Sequence, residues 1–127
     1  MTMRDVELGA YNDSIRLETA QLVEALRSIL GAQLVAYLAS VGETRAVRQW
    51  AEGTRQPRPD VFKRLQTSYH VAAFLEKHES RATVQAWFQG LNPQLDDQSP
   101  ARLLREGTLD SVGKQVLAAA RNFAGTA

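Results

Sequence analysis

The chain has no cysteine, which excludes disulfide staples, thiolate zinc sites and a cysteine nucleophile and is compatible with a reducing compartment. Histidine is scarce: only His70 and His78 are present, too few and too isolated to hold a metal. There is no glycine-rich phosphate loop. The adjacent Asp96 and Asp97 have no histidine near them in sequence, so acid–base chemistry is not expected there, and no catalytic residue, metal or cofactor is assigned. Long apolar runs are also missing. The longest, near residues 34–41 and 71–75, fall far short of the roughly 20 residues that cross a bilayer. Residues 1–17 scatter Arg4, Asp5, Glu7, Asp13 and Arg16 among apolar residues, unlike the unbroken core of a signal peptide. A cytoplasmic, membrane-free and non-enzymatic protein is expected.

What is present is the material of one helical domain. The 127 residues are 44% apolar and 23% charged, close to ordinary globular usage. From Thr19, Leu22, Val23, Leu26, Ile29 and Leu30 recur at spacings of three and four, which predicts an amphipathic helix ending at Gly31. A short helix over residues 32–39 follows, then Gly42 as the expected sharp turn. The next helix runs to Glu52, with Thr44 as its expected N-cap and Gly53 as its C-cap. Pro59 or Asp60 opens a long helix with Phe62, Leu65, Tyr69, Ala72 and Ala73 on one face. Ser80 caps a helix carrying Val84, Trp87 and Phe88, and Ser99-Pro100 opens another that ends at Gly107. A final helix over residues 108–123 carries Val112, Val116, Leu117, Ala120 and Phe123. No strand pattern or internal repeat emerges, so the fold class is all-α, with residues 1–18 expected to be flexible or weakly ordered.

Net charge is only +1, but its distribution is uneven. Residues 45–64 hold Arg45, Arg48, Arg55, Arg58, Lys63 and Arg64 against only Glu52 and Asp60. Such a cluster is either a solvated face or an electrostatic footprint for a polyanion. Its setting favours the second reading. Two short helices joined by a tight turn, the second with arginines outward and Trp50 inward, have the layout of a helix-turn-helix. Arg45, Arg48 and Gln49 share one face of the second helix, and Arg and Gln are the side chains that reach guanine and adenine edges in the major groove. Arg55, Arg58 and Lys63 lie just beyond and suit phosphate oxygens.

The stretch over residues 34–65, with Trp50, Gly53, Pro57 and a helix resuming at Pro59, resembles the Xre-type, phage-repressor-like helix-turn-helix. That resemblance implies that Gln33 opens the first motif helix and touches a backbone phosphate. Residues 19–78 are therefore the expected DNA-binding region, with Gln33, Thr44, Arg45, Arg48, Gln49, Arg55, Arg58 and Lys63 as its contacts. Helix-turn-helix proteins usually read paired half-sites, so a homodimer is expected, with the helix from Thr19 and the last helix as the candidate interface.

The run Gly90-Leu91-Asn92-Pro93-Gln94-Leu95-Asp96-Asp97-Gln98-Ser99-Pro100, continuing through Arg102 and Arg105 to Gly107, reads physically as a rigid loop followed by a capped helix. It resembles the toxin-binding region of the MbcA/ParS/Xre antitoxin family, in which a glycine, an Asn-Pro loop, a Ser/Thr-Pro helix start and a closing glycine recur with this spacing. The resemblance implies an antitoxin. Residues 79–127 would grip a RES-domain, NAD-consuming toxin and cover its active site, while the preceding region would bind operator DNA and repress the shared operon. Asn92, Pro93, Asp96, Ser99, Arg102 and Arg105 are the expected partner-binding residues, although Asn92, Pro93, Ser99 and Pro100, each taken singly, read first as the shapers of a turn and a helix start. The alternative is an orphan helix-turn-helix regulator or adaptor without a toxin.

Overall fold

The computed structural model describes residues 2–16 and 18–125, with residues 11–16 described by backbone alone. Helix α1 (Met3–Arg16) precedes α2 (Thr19–Leu30), α3 (Ala32–Leu38) and α4 (Thr44–Glu52). The long α5 (Pro59–Glu76) leads to α6 (Arg81–Gln89), and a 3₁₀ turn (Pro93–Leu95) connects α6 to α7 (Pro100–Glu106) and α8 (Leu109–Gly125). Among the described residues there is no strand; one isolated bridge pairs Asn92 with Gln98. The protein is all-α.

The apolar periodicity explains where each helix faces. Leu22, Val23, Leu26, Ile29 and Leu30 of α2 are all buried, each contributing roughly 1.5–3 kcal/mol by leaving water. They meet Leu65, Ala72 and Leu75 of α5 within one continuous core that also takes in Val47 and Trp50, Phe88, Leu104 and Val116. The central element is α5, which contacts α1, α2, α3, α6, α7 and α8. Its run Val71–Leu75 is buried without interruption, so this helix is apolar nearly all round over its C-terminal third. Its one fully buried polar residue, Ser68, donates its hydroxyl to the Arg64 carbonyl at 2.7 Å.

Residues 1–18 contain α1; Leu17, Met1 and the last two residues lie outside the described set. Val6 and Ala10 enter the core, and Glu7 and Arg121 form a two-point ion pair between α1 and α8. Thr44 is not the N-cap of α4: Glu43, in extended conformation, holds that position and makes no side-chain cap bond. Gly42 has no left-handed backbone. Ser40 carries that conformation instead, at φ 58°, and its N–H bonds the Tyr37 carbonyl.

Other junctions match the sequence chemistry. Gly53, at φ 79°, ends α4, with its N–H on the Trp50 carbonyl and the Thr54 N–H on the Gln49 carbonyl. This is a left-handed cap that favours glycine. Ser80 accepts from the Thr83 N–H and Ser99 from the Arg102 N–H. Gly107 is required for space rather than dihedral freedom, because a Cβ there would lie 2.3 Å from Val112 Cγ1 and 2.8 Å from the Leu103 carbonyl oxygen.

Candidate functional site

The α3–turn–α4 unit presents its polar residues on the side away from the core. Ala46, Val47 and Trp50 are buried, so α4 turns Arg45 and Arg48 into solvent and leaves Gln49 half-exposed. Trp50, only 3% exposed, is a packing residue and offers no ligand surface. Two depressions share Val41, Gly42 and Glu43 of the turn. One, of about 320 Å³, gathers Arg45, Gln49 and Arg55, and Arg55 Nη1 approaches Gln49 Oε1 at 3.4 Å. The other, of about 540 Å³, gathers Gln33, Tyr37, Thr44 and Arg105. Five of the expected DNA-binding residues thus line two depressions that share one turn, and Arg48, Arg58 and Lys63 line neither.

Charge pairing sorts the basic residues further. Arg48 lies 3.4 Å from Glu52 and Arg58 3.4 Å from Asp60, both pairs well exposed. Such pairs are worth little and exchange readily for another anion. Arg45, Arg55 and Lys63 are exposed and have no carboxylate within ion-pair distance among the described residues. Arg64, in the same basic window, has a structural role: Nη1 donates to the Leu104 carbonyl at 2.8 Å, tying α5 to α7.

The Gly90–Gly107 segment is built differently, from backbone bonds closed on themselves. Asn92 Oδ1 accepts from the Gln94 N–H at 2.9 Å, and the Asn92 carbonyl accepts from the N–H groups of Leu95 and Asp97. The Asn92 N–H reaches the Gln98 carbonyl at 3.1 Å. Leu95 plugs the loop into the core at 5% exposure, and Asn122 of α8 donates to Gln94 Oε1 at 2.8 Å. Asp96 and Asp97 occupy left-handed backbone at φ 54° and 60°. Asn92, Pro93 and Ser99 therefore shape this segment, Asp96 is exposed at its tip, and Arg102 pairs with Glu106 at 2.8 Å.

Arg105 departs from that group. Its guanidinium sits 4.5 Å from the centroid of the Tyr37 ring, and Nη1 donates to the Tyr37 carbonyl at 3.2 Å. A cation over an aromatic face gains electrostatically from the ring. The structure thus brings one expected partner-binding residue beside Gln33 and Thr44, two expected DNA-binding ones. Leu91, which the sequence reading does not single out, is 76% exposed, the most exposed large apolar side chain among the described residues. Its signal was its place: a leucine between Gly90 and Asn92, in a loop whose other leucine already fills the core.

The two helices expected to carry a dimer interface place their apolar stripes in the core. The outer side of α2 presents Ala20, Gln21, Glu24, Ala25 and Ser28 beside Ala51 in a shallow depression. At the far end of the molecule, Arg4, Glu7, Leu8, His70 and Arg121 line another depression. The hydrogen bond from Arg121 holds the Glu7 carboxyl below its ordinary pKa, and burial lowers that of His70. No cluster of three or more metal-ligating side chains occurs among the described residues, and none of the described helices is long and apolar enough to cross a membrane.

No family model and no curated protein matches the chain. Among solved structures, it is similar to a chain of the crystal structure of the M. tuberculosis MbcT-MbcA toxin-antitoxin complex. The match has a TM-score of 0.69 at 26% sequence identity, covering 84% of this chain and 94% of that one.

Proposed function

We propose that this chain is the antitoxin of a toxin-antitoxin pair. Residues 79–127 bind a RES-domain, NAD-consuming toxin and cover its active site, and residues 19–78 act as an Xre-like helix-turn-helix that binds operator DNA and represses the operon. The observation that carries the reading is the likeness to a component of a toxin-antitoxin complex over most of both chains. It is supported by the Gly90–Gly107 segment, whose self-bonded loop exposes Leu91 and Asp96 on a fixed backbone. Preorganised loops bind with less ordering entropy to lose. In this reading Asn92, Pro93 and Ser99 set the shape of the partner surface, and Asp96 and Arg102 offer side chains on it.

On the DNA side, Arg45, Arg48 and Gln49 read base edges, while Gln33, Thr44, Arg55, Arg58 and Lys63 contact the backbone. The protein acts as a homodimer on two half-sites, because one short reading helix with a few phosphate contacts binds weakly and half-sites on one duplex face lie about 34 Å apart. The role is binding rather than catalysis.

Co-expression with the product of the neighbouring reading frame tests the neutralising half. Co-purification is expected, with cellular NAD falling only when this protein, or its segment after Gly90, is removed. No complex and no change in NAD would leave a helix-turn-helix regulator or adaptor without a toxin. A salt-controlled titration tests the other half: Arg45→Ala with Arg48→Ala should relax sequence preference. A wild-type protein with no sequence preference would overturn the repressor reading.

A further inference from the structure

We infer that Arg105, on α7 and outside the expected DNA-binding region, contacts a DNA backbone phosphate seated in the groove it shares with Gln33 and Thr44. This rests on the DNA-binding reading above and extends it. The groove, of about 540 Å³, runs between α3, the start of α4 and α7. It offers an amide from Gln33, a hydroxyl from Thr44 and a guanidinium from Arg105, all of which can donate to phosphate oxygens.

Arg105 is set up for this task in ways its neighbours are not. Arg102, three residues earlier, is paired with Glu106, whereas Arg105 has no carboxylate within ion-pair distance among the described residues. One Nη1–H is committed to the Tyr37 carbonyl and the guanidinium rests over the Tyr37 ring. The rest of the planar fork remains for an anion, on a side chain already held in place. The acid in the groove is Glu43, exposed and without a cap bond to its helix, so its carboxylate is free to swing away. Gln33 and Thr44 line a groove that shares Val41, Gly42 and Glu43 with the depression holding Arg45, Gln49 and Arg55. A duplex held at Arg45 and Gln49 therefore lies next to this groove. An acidic side chain of a protein partner would suit the same guanidinium, but the company of Gln33 and Thr44 favours DNA.

The test is the salt dependence of binding to DNA from the chain's own promoter, measured for wild type, Arg105→Gln, Arg105→Lys and Arg102→Gln. Arg105→Gln removes the charge while keeping a donor for the Tyr37 carbonyl, and its unfolding midpoint is measured alongside. Its log–log salt slope should be shallower by about 0.9, one phosphate contact, with affinity falling equally on preferred and unrelated sequences. Arg105→Lys should restore the slope and Arg102→Gln should leave it at the wild-type value. An unchanged slope in Arg105→Gln overturns the inference while leaving the repressor reading intact, and loss of partner capture in that same variant would assign the residue to the protein surface. Equal slope losses in Arg105→Gln and Arg102→Gln would also overturn it, since diffuse charge would then explain both. If wild type binds no DNA, both fall together.

Discussion

Two short helices of this protein begin in opposite ways. At α7, Ser99 supplies a hydroxyl to the Arg102 N–H and Pro100 occupies the first turn. At α4, Glu43 stands in the cap position with no side-chain bond to the helix. The C-terminal unit is thus organised by local turn chemistry, with Asn92, Ser99 and Gly107 each fixing a piece of backbone. The α3–turn–α4 unit is organised by tertiary burial of Ala46, Val47 and Trp50, together with the left-handed cap at Gly53. One region presents a shape, and the other presents side chains from a plain helix. Substitutions that remove a local device should therefore cost more stability in the first unit than in the second.

The largest effect is expected at Gly107→Ala. Its new methyl would collide with Val112 and with the Leu103 carbonyl oxygen, which is backbone, so the variant should lose about 1–3 kcal/mol in urea unfolding. A wild-type midpoint would mean that the α7–α8 corner yields, and that the loop is less rigid than its hydrogen bonds imply. Next comes the cap contrast itself. Ser99→Ala should lose about 1 kcal/mol, whereas Glu43→Ser, which introduces a cap where none exists, should gain roughly 0.5–1 kcal/mol. If Ser99→Ala is silent, α7 too is held by the core, and the distinction between the units disappears.

Acid should act outside both units, where α1 meets α5 and α8. Burial keeps the pKa of His70 below its ordinary value of about 6.5, so the unfolded chain takes up the proton first. Stability should be complete above that pH and decline as pH falls below it. Glu7, lowered by the hydrogen bond from Arg121, adds a second loss in the carboxylate range, as pH drops below the unfolded value towards the folded one. Urea midpoints against pH should show both steps, with His70→Gln removing the first. The smallest effects lie in the turn before α4. Ser40→Gly should relieve left-handed backbone, and Gly42→Ala, with open space for its Cβ and no left-handed φ, should be neutral or stabilise by about 0.4 kcal/mol or more. Loss of stability in Gly42→Ala would restore Gly42 as the hinge of the turn.

This contrast also explains what was legible in the sequence. The stripe of Leu22, Val23, Leu26, Ile29 and Leu30 announced α2, and Ser80, Ser99-Pro100, Gly53 and Gly107 marked helix boundaries, because these signals act over a few residues. Helix α1 was not legible. Charges are interleaved with its apolar residues, and it is anchored by elements distant in sequence, chiefly α5, with an ion pair from Glu7 to Arg121 of α8. Nothing in the local sequence marks Ser40 rather than Gly42 for the left-handed position, which glycine occupies more readily. For the candidate site, the outward residues of α4 followed from helical spacing. The approach of Arg105 to Tyr37 and Gln33 did not, since α7 reaches α3 only through the assembled core.

The buried run Val71–Leu75 of α5 has a consequence for the lifetime of the molecule. Because α5 packs against α1, α2 and α3, which precede it in the chain, and against α6, α7 and α8, which follow it, drawing this helix out of the core strips apolar support from both parts of the molecule together. A pull on either terminus that reaches α5 therefore loosens the Gly90–Gly107 surface and the helices that carry α4 in the same step.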